Sequence, residues 1–462
     1  MDGGTPIAGA QLRGPLAPEM YDTARPVPGW WQASLAPEAP RPRLEGEAEA
    51  EIAIIGGGFA GLNAALALAR AGRAVAVLDA GAIGWGASGR NGGIVGLGGH
   101  KLSDRALDRR HGREERRRLE AAQAEAVRWV RRFCEAEGLG HLLSGAGEVL
   151  WAHSPSVARG LAAMAKAPPE GTEVAPVAPS GRDDIARHGG VRVSPGFGIH
   201  PLGYVRALAR AAERAGARIC ESSAVTGWTR EGARHRLHTA FGTLRAEQVL
   251  IATNGFTPDG LTPRLEGRAV PVISNIAVTR PLGEEERAHH PWLDDDPACC
   301  TRNMLSYFRL VRPPTEPEAA PRLLLGIRGD LTGADANEPE MRERVAARIG
   351  ADLPGLRGVE IDHFWRGPVC ATFRFAPSVG WLDRERRVAV ALGWHGSGVA
   401  MGSYGGRLAA ELIASGTDGH IPAAMRGPSP RVPFPGLRPA YVGLMTAWYA
   451  LHDRLTGARP GP

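Results

Sequence analysis

Between residues 51 and 78 the chain sets short apolar runs around a glycine-rich break. Glu51 to Ile55 (EIAII) predicts a buried strand, because consecutive apolar positions suit a strand covered on both faces. Ile52 to Ala69 then passes eighteen residues without a charge, close to membrane-spanning length. Glycines at 56, 57, 58 and 61 break that run in the middle, so the reading is strand, turn and helix. Ala65, Leu68 and Ala69 continue a small, apolar helix face, Gly72 ends it, and Arg73 to Leu78 (RAVAVL) predicts a second strand running into Asp79. Farther on, Leu119, Ala122, Ala126, Val130 and Cys134 recur at helical spacing behind the charged run 109–118. Val205 to Ala215 reads as a helix, Arg218 to Val225 as a strand, and Glu247 to Gly255 (EQVLIATNG) as a buried strand ending in a glycine turn. Ser306 to Arg309 alternates as a strand with Tyr307 and Arg309 on one face. Val388 to Gly393 (VAVALG) leads into a second glycine turn and a helix, and Val442 to Leu455 is expected to pack an apolar helix face on the body.

Composition narrows the class. With 462 residues, 43% of them hydrophobic and 23% charged, the chain is neither disordered nor fibrous, and its length calls for two cores. The net charge of +6 first suggests nucleic acid, but all but two of the 55 basic residues are arginines, and they are scattered rather than gathered into a stripe. Nucleic acid is therefore not an expected partner, and no membrane span is expected either. Five cysteines without a C-x-x-C pair fit a reduced, cytoplasmic protein. The first fifty residues lack a signal-peptide layout and read as an extended lead-in anchored by Trp30 and Trp31. His289 and His290 are adjacent, so their side chains diverge, and no metal site is expected there.

The glycine break carries the first chemistry. Gly56-Gly57-Gly58-Phe59-Ala60-Gly61 follows a strand and opens a helix, the arrangement in which a pyrophosphate meets backbone amides at a helix N-terminus. Asp79, at the end of the next strand, stands where an acid accepts the ribose hydroxyls of an adenine dinucleotide. Just beyond, Gly84 to Gly93 (GWGASGRNGG) forms a loop of exposed amides with one hydroxyl, one guanidinium and one amide side chain, suited to phosphate and polar ring edges.

Together these segments resemble the FAD-binding signature of the D-amino acid oxidase superfamily, and are most similar to its bacterial γ-glutamylputrescine oxidoreductase-like members. The resemblance continues through 198–204 (GIHPLGY), 247–255 and 388–399, and so spans about residues 20 to 450. It implies an α/β fold: a Rossmann-like FAD-binding domain of the glutathione-reductase type, assembled from 45–98, 196–258 and 355–420. Insertions at 99–195 and 259–354 would build a mixed-sheet α+β substrate domain, with 1–44 as the lead-in and 421–462 as a tail with a helix. FAD would be held non-covalently by Gly56, Gly58, Phe59, Ala60, Gly61 and Asp79, by Ser88, Arg90, Asn91 and Gly92, and by backbone at Val225. Thr253 and Gly255 would contribute from the strand-end turn, and Gly393, Gly396, Ser397, Gly398 and Val399 from the late turn.

The implied activity is oxidation of the C–N bond of an amine or amino-acid derivative, with hydrolysis of the imine and reoxidation of the flavin by O₂ or another acceptor. Tyr307 would orient the amine and Arg309 clamp a carboxylate, unless both lie on a solvated sheet face. His395 would reach the flavin or the amine, or else be a turn histidine bonded to backbone, and Arg366 is a lesser carboxylate candidate with structural pairing as its main reading. Cys370 falls one residue off the place where some relatives attach FAD, and reads as a buried thiol. The sarcosine oxidase branch carries a carboxylate-binding lysine where Ala400 stands, and another near the ring where the strand 272–280 (VISNIAVTR) has none. Neither a simple sarcosine-like substrate nor fast oxygen use is then expected. The alternatives are a dehydrogenase subunit that passes electrons to a partner, a flavin-binding protein without turnover, and a tRNA-modifying relative.

Overall fold

The run at 51–55 sits at the centre of a mainly parallel sheet. In the computed structural model, which describes residues 14–456, β1 (Gly46–Ile55) pairs in parallel with β2 (Val75–Leu78) on one side and β12 (Gly242–Ile251) on the other. β9 (Arg218–Cys220) extends the sheet beyond β2. The long β12 pairs through its first half with the hairpin β10 (Gly227–Glu231) and β11 (Arg234–His238), and through its last residues with β19 (Val388–Leu392). β18 (Ser378–Trp381) closes that side against β19. Helices α1 (Phe59–Arg70), α3 (Pro201–Arg214) and α5 (Ala400–Ser415) supply the core on one face of this sheet, and the opposite face buries Ala53, Ile55, Leu78, Val249 and Val390.

A second, mostly antiparallel sheet stands beside it. Its order is β17 (Ile361–Ala371), β13 (Val270–Thr279), β16 (Arg322–Arg328), β15 (Ser306–Val311), β14 (Ala298–Cys300), β5 (Glu148–Trp151), β7 (Gly190–Ser194) and β6 (Glu173–Val177). Its back face packs Val149, Trp151, Phe308, Leu310 and Leu325 on Met341, Val345 and Ile349 of α4 (Glu338–Asp352). A small sheet of β3 (Ile94–Val95), β4 (Leu143–Ser144) and β8 (Phe197–Ile199) lies at the junction.

The observed sheets shift two expected boundaries, and the tail packs differently from expectation. Residues 361–371, expected in the flavin domain, form the edge strand of the second sheet, because β17 runs its whole length along β13. The insertion 99–195 divides between the two layers. Its helix α2 (Arg113–Ala136) turns the predicted stripe of Leu119, Ala122, Ala126, Val130 and Cys134 into the core shared with α1 and α5, while its strands β5, β6 and β7 join the second sheet. The tail helix α6 (Arg438–Leu455) does form, but it buries Arg438, Val442 and Asp453 and leaves Leu444, Trp448, Leu451 and Leu455 exposed. Asp453 fixes it to the body by accepting from the backbone N–H groups of Asn303 and Met304, so polar contacts replace the apolar face expected there. The first 13 residues of the expected lead-in and the last six of the tail lie outside the described residues.

Candidate active site

A cavity of about 430 Å³ runs from the C-terminal ends of β1 and β2 to the second sheet. At its nucleotide end, Gly56, Gly58, Phe59 and Ala60 line it together with Asp79 and Val225. Asp79 accepts from the Gly57 N–H at 2.6 Å and from the Gly81 N–H at 2.9 Å. Burial pushes its carboxyl above the usual range, and those amides pull it back. Gly61 does not line the cavity. A Cβ there would lie 1.9 Å from the Gly56 carbonyl oxygen, so this glycine lets α1 sit directly on the end of β1. The N-cap residues of α1 and α5, Gly58 and Val399, cap their helices with no side chain of their own, and backbone of both helix starts lines one cavity. That is a cradle for an anionic dinucleotide, and its donors fit FAD.

The loop 84–93 forms the middle of the wall. Ser88 Oγ accepts from the Phe59 N–H at 3.0 Å and so ties this loop to the first turn of α1. Arg90 lines the cavity with its charge held locally: Nε donates to the Trp85 carbonyl and the guanidinium stacks on the Trp85 ring at 4.2 Å. Burial draws its pKa down to about 10. Asn91 also spends its side chain on the loop, donating to the carbonyls of Ala87 and Ser88 and accepting from the Gly93 N–H. Thr253 lines the wall, while Gly255 and Gly393 lie just behind it, with the Asn254 Oδ1 accepting from the Gly393 N–H at 2.9 Å. Gly396, Ser397, Gly398 and Val399 complete the wall from the late turn, where Gly396 holds φ +107°, a conformation other residues rarely adopt.

Strand pairing decides which side chains face the far end. Leu150, Cys299, Tyr307, Gly326 and Ile276 share one row across β5, β14, β15, β16 and β13, and Glu148, Ser274 and Arg328 lie two residues away on the same face. Tyr307 lines the cavity, with its hydroxyl 2.8 Å from the Ser274 Oγ and its phenol pushed upward by burial. Arg309 shares that face, as the alternation predicts, but does not line the cavity. Two residues farther along β15, it is roofed by the small sheet and donates to the carbonyls of Gly93 and Ile199 and to Ser144 Oγ. A guanidinium with its donors so occupied is a structural tie, and the expected carboxylate clamp is corrected on that ground.

His395 lines the cavity at φ +49°, with its N–H donating to the Cys370 carbonyl and its Nε2 accepting from the Thr372 N–H at 3.2 Å. Burial first, then the neighbouring Lys101, takes its pKa to about 3, so the ring stays neutral in the turn. Arg366 follows its structural reading and pairs with Asp330, Asp335 and Glu338. Cys370 lines the cavity as a thiol that burial pushes up to about 12.

The model of the DAO family, described as FAD dependent oxidoreductase, matches residues 51–412. The chain belongs to the DAO family. A probable oxidoreductase, OrdL, of Rhizobium meliloti (strain 1021) is 32% identical over 439 residues, covering 92% of this chain and 97% of that relative. The γ-glutamylputrescine oxidoreductase of Escherichia coli (strain K12) is 29% identical, covering 92% and 98%. Among solved structures, glycine oxidase from Geobacillus kaustophilus superposes with a TM-score of 0.61 over 80% of this chain and 95% of that one, at 22% identity, a likeness of fold.

The DAO-family motifs point to the cradle, and four polar residues of the far end escaped them. Lys101 enters from the loop after β3. It keeps accessible surface, yet protein surrounds it closely enough to draw its ammonium down to about 8. Glu148 is buried, and desolvation raises its carboxyl to about 7 while the Cys299 thiol and the Leu97 amide donate to it. Burial pushes the Cys299 thiol well above its usual range. Arg328 completes the set from the end of β16. One signal in the sequence was available: Lys101 is one of two lysines, and it ends a glycine-rich stretch, 91–100, with no Asp, Glu, Lys or Arg.

Proposed function

We propose that this chain binds FAD non-covalently and oxidises the C–N bond of an amine or amino-acid derivative. One observation carries the reading: a single cavity joins the nucleotide cradle of the first sheet to the polar face of the second. Gly56, Gly58, Phe59, Ala60 and Asp79 would hold the adenosine and pyrophosphate half, with Ser88 keeping the loop 84–93 against them. Backbone of 396–399 would face the flavin half. Bound FAD supplies the two-electron acceptor.

The protein's own groups prepare the amine. An amine gives up a hydride equivalent from its carbon only once its nitrogen is unprotonated. Glu148 and Asp79 are the carboxylates that line the cavity among the described residues, and Asp79 belongs to the cradle. Glu148 therefore takes the ammonium proton, and a carboxyl near 7 is matched to that task at neutral pH. The Tyr307 hydroxyl, set against Ser274, orients the nitrogen. The family relatives named above, one of which acts on γ-glutamylputrescine by its name, support an amine substrate.

The same reading assigns the protein to the cytoplasm, on five cysteines that are all unpaired. No helix among the described residues is long and apolar enough to cross a membrane. Nucleic acid is not proposed as a partner, since the arginines are scattered along the chain and, in the densest run, Arg116 pairs with Asp108 and Glu120 and Arg118 with Glu115. The purified protein should be yellow, and an anaerobic amine or amino acid should bleach it. Peroxide on admitting air would make oxygen the acceptor, and its absence would favour a partner dehydrogenase chain. A colourless protein that does not take up FAD, or a flavin that no amine bleaches, would overturn the assignment.

A further inference from the structure

The tail helix α6 is built inside out. Among the described residues ten large apolar side chains are exposed, and seven of them lie between 434 and 455. Leu437, Leu444, Trp448, Leu451 and Leu455 recur at steps of 7, 4, 3 and 4, the spacing of a single helical stripe. The other side of the helix, through Arg438, Val442 and Asp453, is the side that meets the body. Leu444 is 71% exposed, Trp448 58% and Leu455 77%, along about 27 Å of helix at roughly 1.5 Å per residue. Single exposed leucines are ordinary, but a continuous apolar stripe marks a contact surface.

Charge says what the stripe meets. From 421 to 462 the chain holds five arginines, at 426, 431, 438, 454 and 459, and one acid, Asp453, which is buried on the amides of Asn303 and Met304. Arg454 is exposed beside the stripe. Three residues before Phe434, Arg431 lines a surface groove with Arg264, Arg268 and Arg384. The two acids of that groove are engaged, Asp383 by the amides of Arg387 and Val388 and Glu385 by Arg230. Arg268 and Arg431 donate to carbonyls, which do not cancel their charge, and Arg431 adds to burial in drawing the Arg268 pKa down. Both ends of the stripe are therefore basic. A second copy of this chain seated on it would set arginines against arginines. Residues 1–13 hold Met1, Ile7 and Leu12 as their large apolar side chains, too few to cover it.

We propose that α6 lies in the surface of an anionic lipid bilayer, with Leu444, Trp448, Leu451 and Leu455 entering the acyl boundary and Arg431 and Arg454 meeting lipid phosphates. A tryptophan among leucines, with arginines at the flanks, is the chemistry of an interfacial helix, which binds through apolar area and through attraction to anionic headgroups. The helix is fixed at both ends, by Arg438 to Asp259 and by Asp453 to residues 303 and 304. Bound lipid therefore holds the body in one orientation. Leu305, next to the second anchor, lines the cavity, so the second-sheet end of the cavity comes to rest beside the lipid. This surface does not depend on the amine-oxidising reading, and a cytoplasmic protein meets anionic lipid on the inner face of the membrane.

The test sediments the flavin-loaded full chain with vesicles of phosphatidylcholine alone, or with about 30% phosphatidylglycerol added. Wild type should bind the anionic vesicles at least tenfold more tightly than the neutral ones, and most of that difference should vanish between about 50 and 500 mM salt. Leu444→Ser combined with Leu451→Ser should weaken binding at least 30-fold, and Arg454→Ala about fivefold. These changes fall on exposed side chains, so flavin content and the urea midpoint should match wild type. Trp448→Leu keeps the apolar area and should still bind, while the quenching of tryptophan emission by brominated lipid, expected in wild type, should be lost. Equal binding to the two vesicles, unchanged binding by the doubly substituted chain, or quenching that survives Trp448→Leu would overturn the proposal. So would a wild-type dimer that the double substitution dissolves, with no vesicle binding, since the stripe would then belong to a second copy. If wild type binds anionic vesicles through these residues while no amine bleaches its flavin, the lipid surface stands and the amine-oxidising reading falls.

Discussion

Glu148 shows how a single residue carries both a cost and a use. Its carboxyl is raised from 4.5 to about 7, first by desolvation, so the folded chain prefers it protonated. The unfolded chain releases that proton near 4.5. This group's contribution to stability is therefore complete below 4.5 and is lost as pH rises through about 7. Glu148→Gln removes the dependence. In urea unfolding of cofactor-free protein, the variant should match wild type near pH 4.5 and exceed it by about 2–3 kcal/mol at pH 8, a gain that tracks the shift at 1.36 kcal/mol per pH unit. In the anaerobic bleaching assay the same variant should lose the rise of rate with pH near 7. Nothing in the local sequence announces this residue, because EVLW reads as any buried strand, and the neighbours at 97, 101 and 299 that offset part of the effect of burial on its carboxyl come from elsewhere in the chain.

Elements built on a backbone requirement were the most legible part of the chain. The turn before α1 needs glycines where a side chain would strike backbone, and a need of that kind is written directly in the sequence. Gly61→Val tests it: with the Gly56 carbonyl 1.9 Å from the added Cβ, α1 must move off β1. Purified Gly61→Val should be colourless, with FAD affinity down by at least 100-fold by fluorescence titration. Strand alternation was also read correctly on β15, yet it misplaced function, because period two gives the face and not the position along it. Arg309 is on the predicted side of the sheet and past the end of the cavity, while Arg328 reaches the cavity from β16 with no motif around it. The tail helix forms as expected, but its packing differs for a related reason. Its apolar spacing is helical, but the surface it meets offers the amides of Asn303 and Met304, which a carboxylate satisfies and a leucine does not.

At the scale of the whole molecule the two sheets are held together partly by the lead-in. Trp31 is 1% exposed, its Nε1 donates to the Asn91 carbonyl at 2.7 Å, and its ring packs edge-on against Trp365 of β17 and His200 at the start of α3. It thus touches the cofactor loop and both layers at once. Trp31→Ala should cost about 3–5 kcal/mol in chemical denaturation, and the loss should appear as earlier release of flavin on heating, since the loop 84–93 loses the same support. The interleaved order of the chain has a consequence in time. Gly58 and Gly396 line one cavity, yet 338 residues separate them, and α5 meets α1 so closely that a Cβ at Gly406 would lie 2.1 Å from the Ala60 carbonyl oxygen. At roughly 5–20 residues per second, a ribosome takes on the order of 20–70 s to pass from one glycine to the other. For all of that interval the nascent chain holds half a cradle, so flavin is taken up after synthesis ends, and polypeptides released early leave the ribosome without colour.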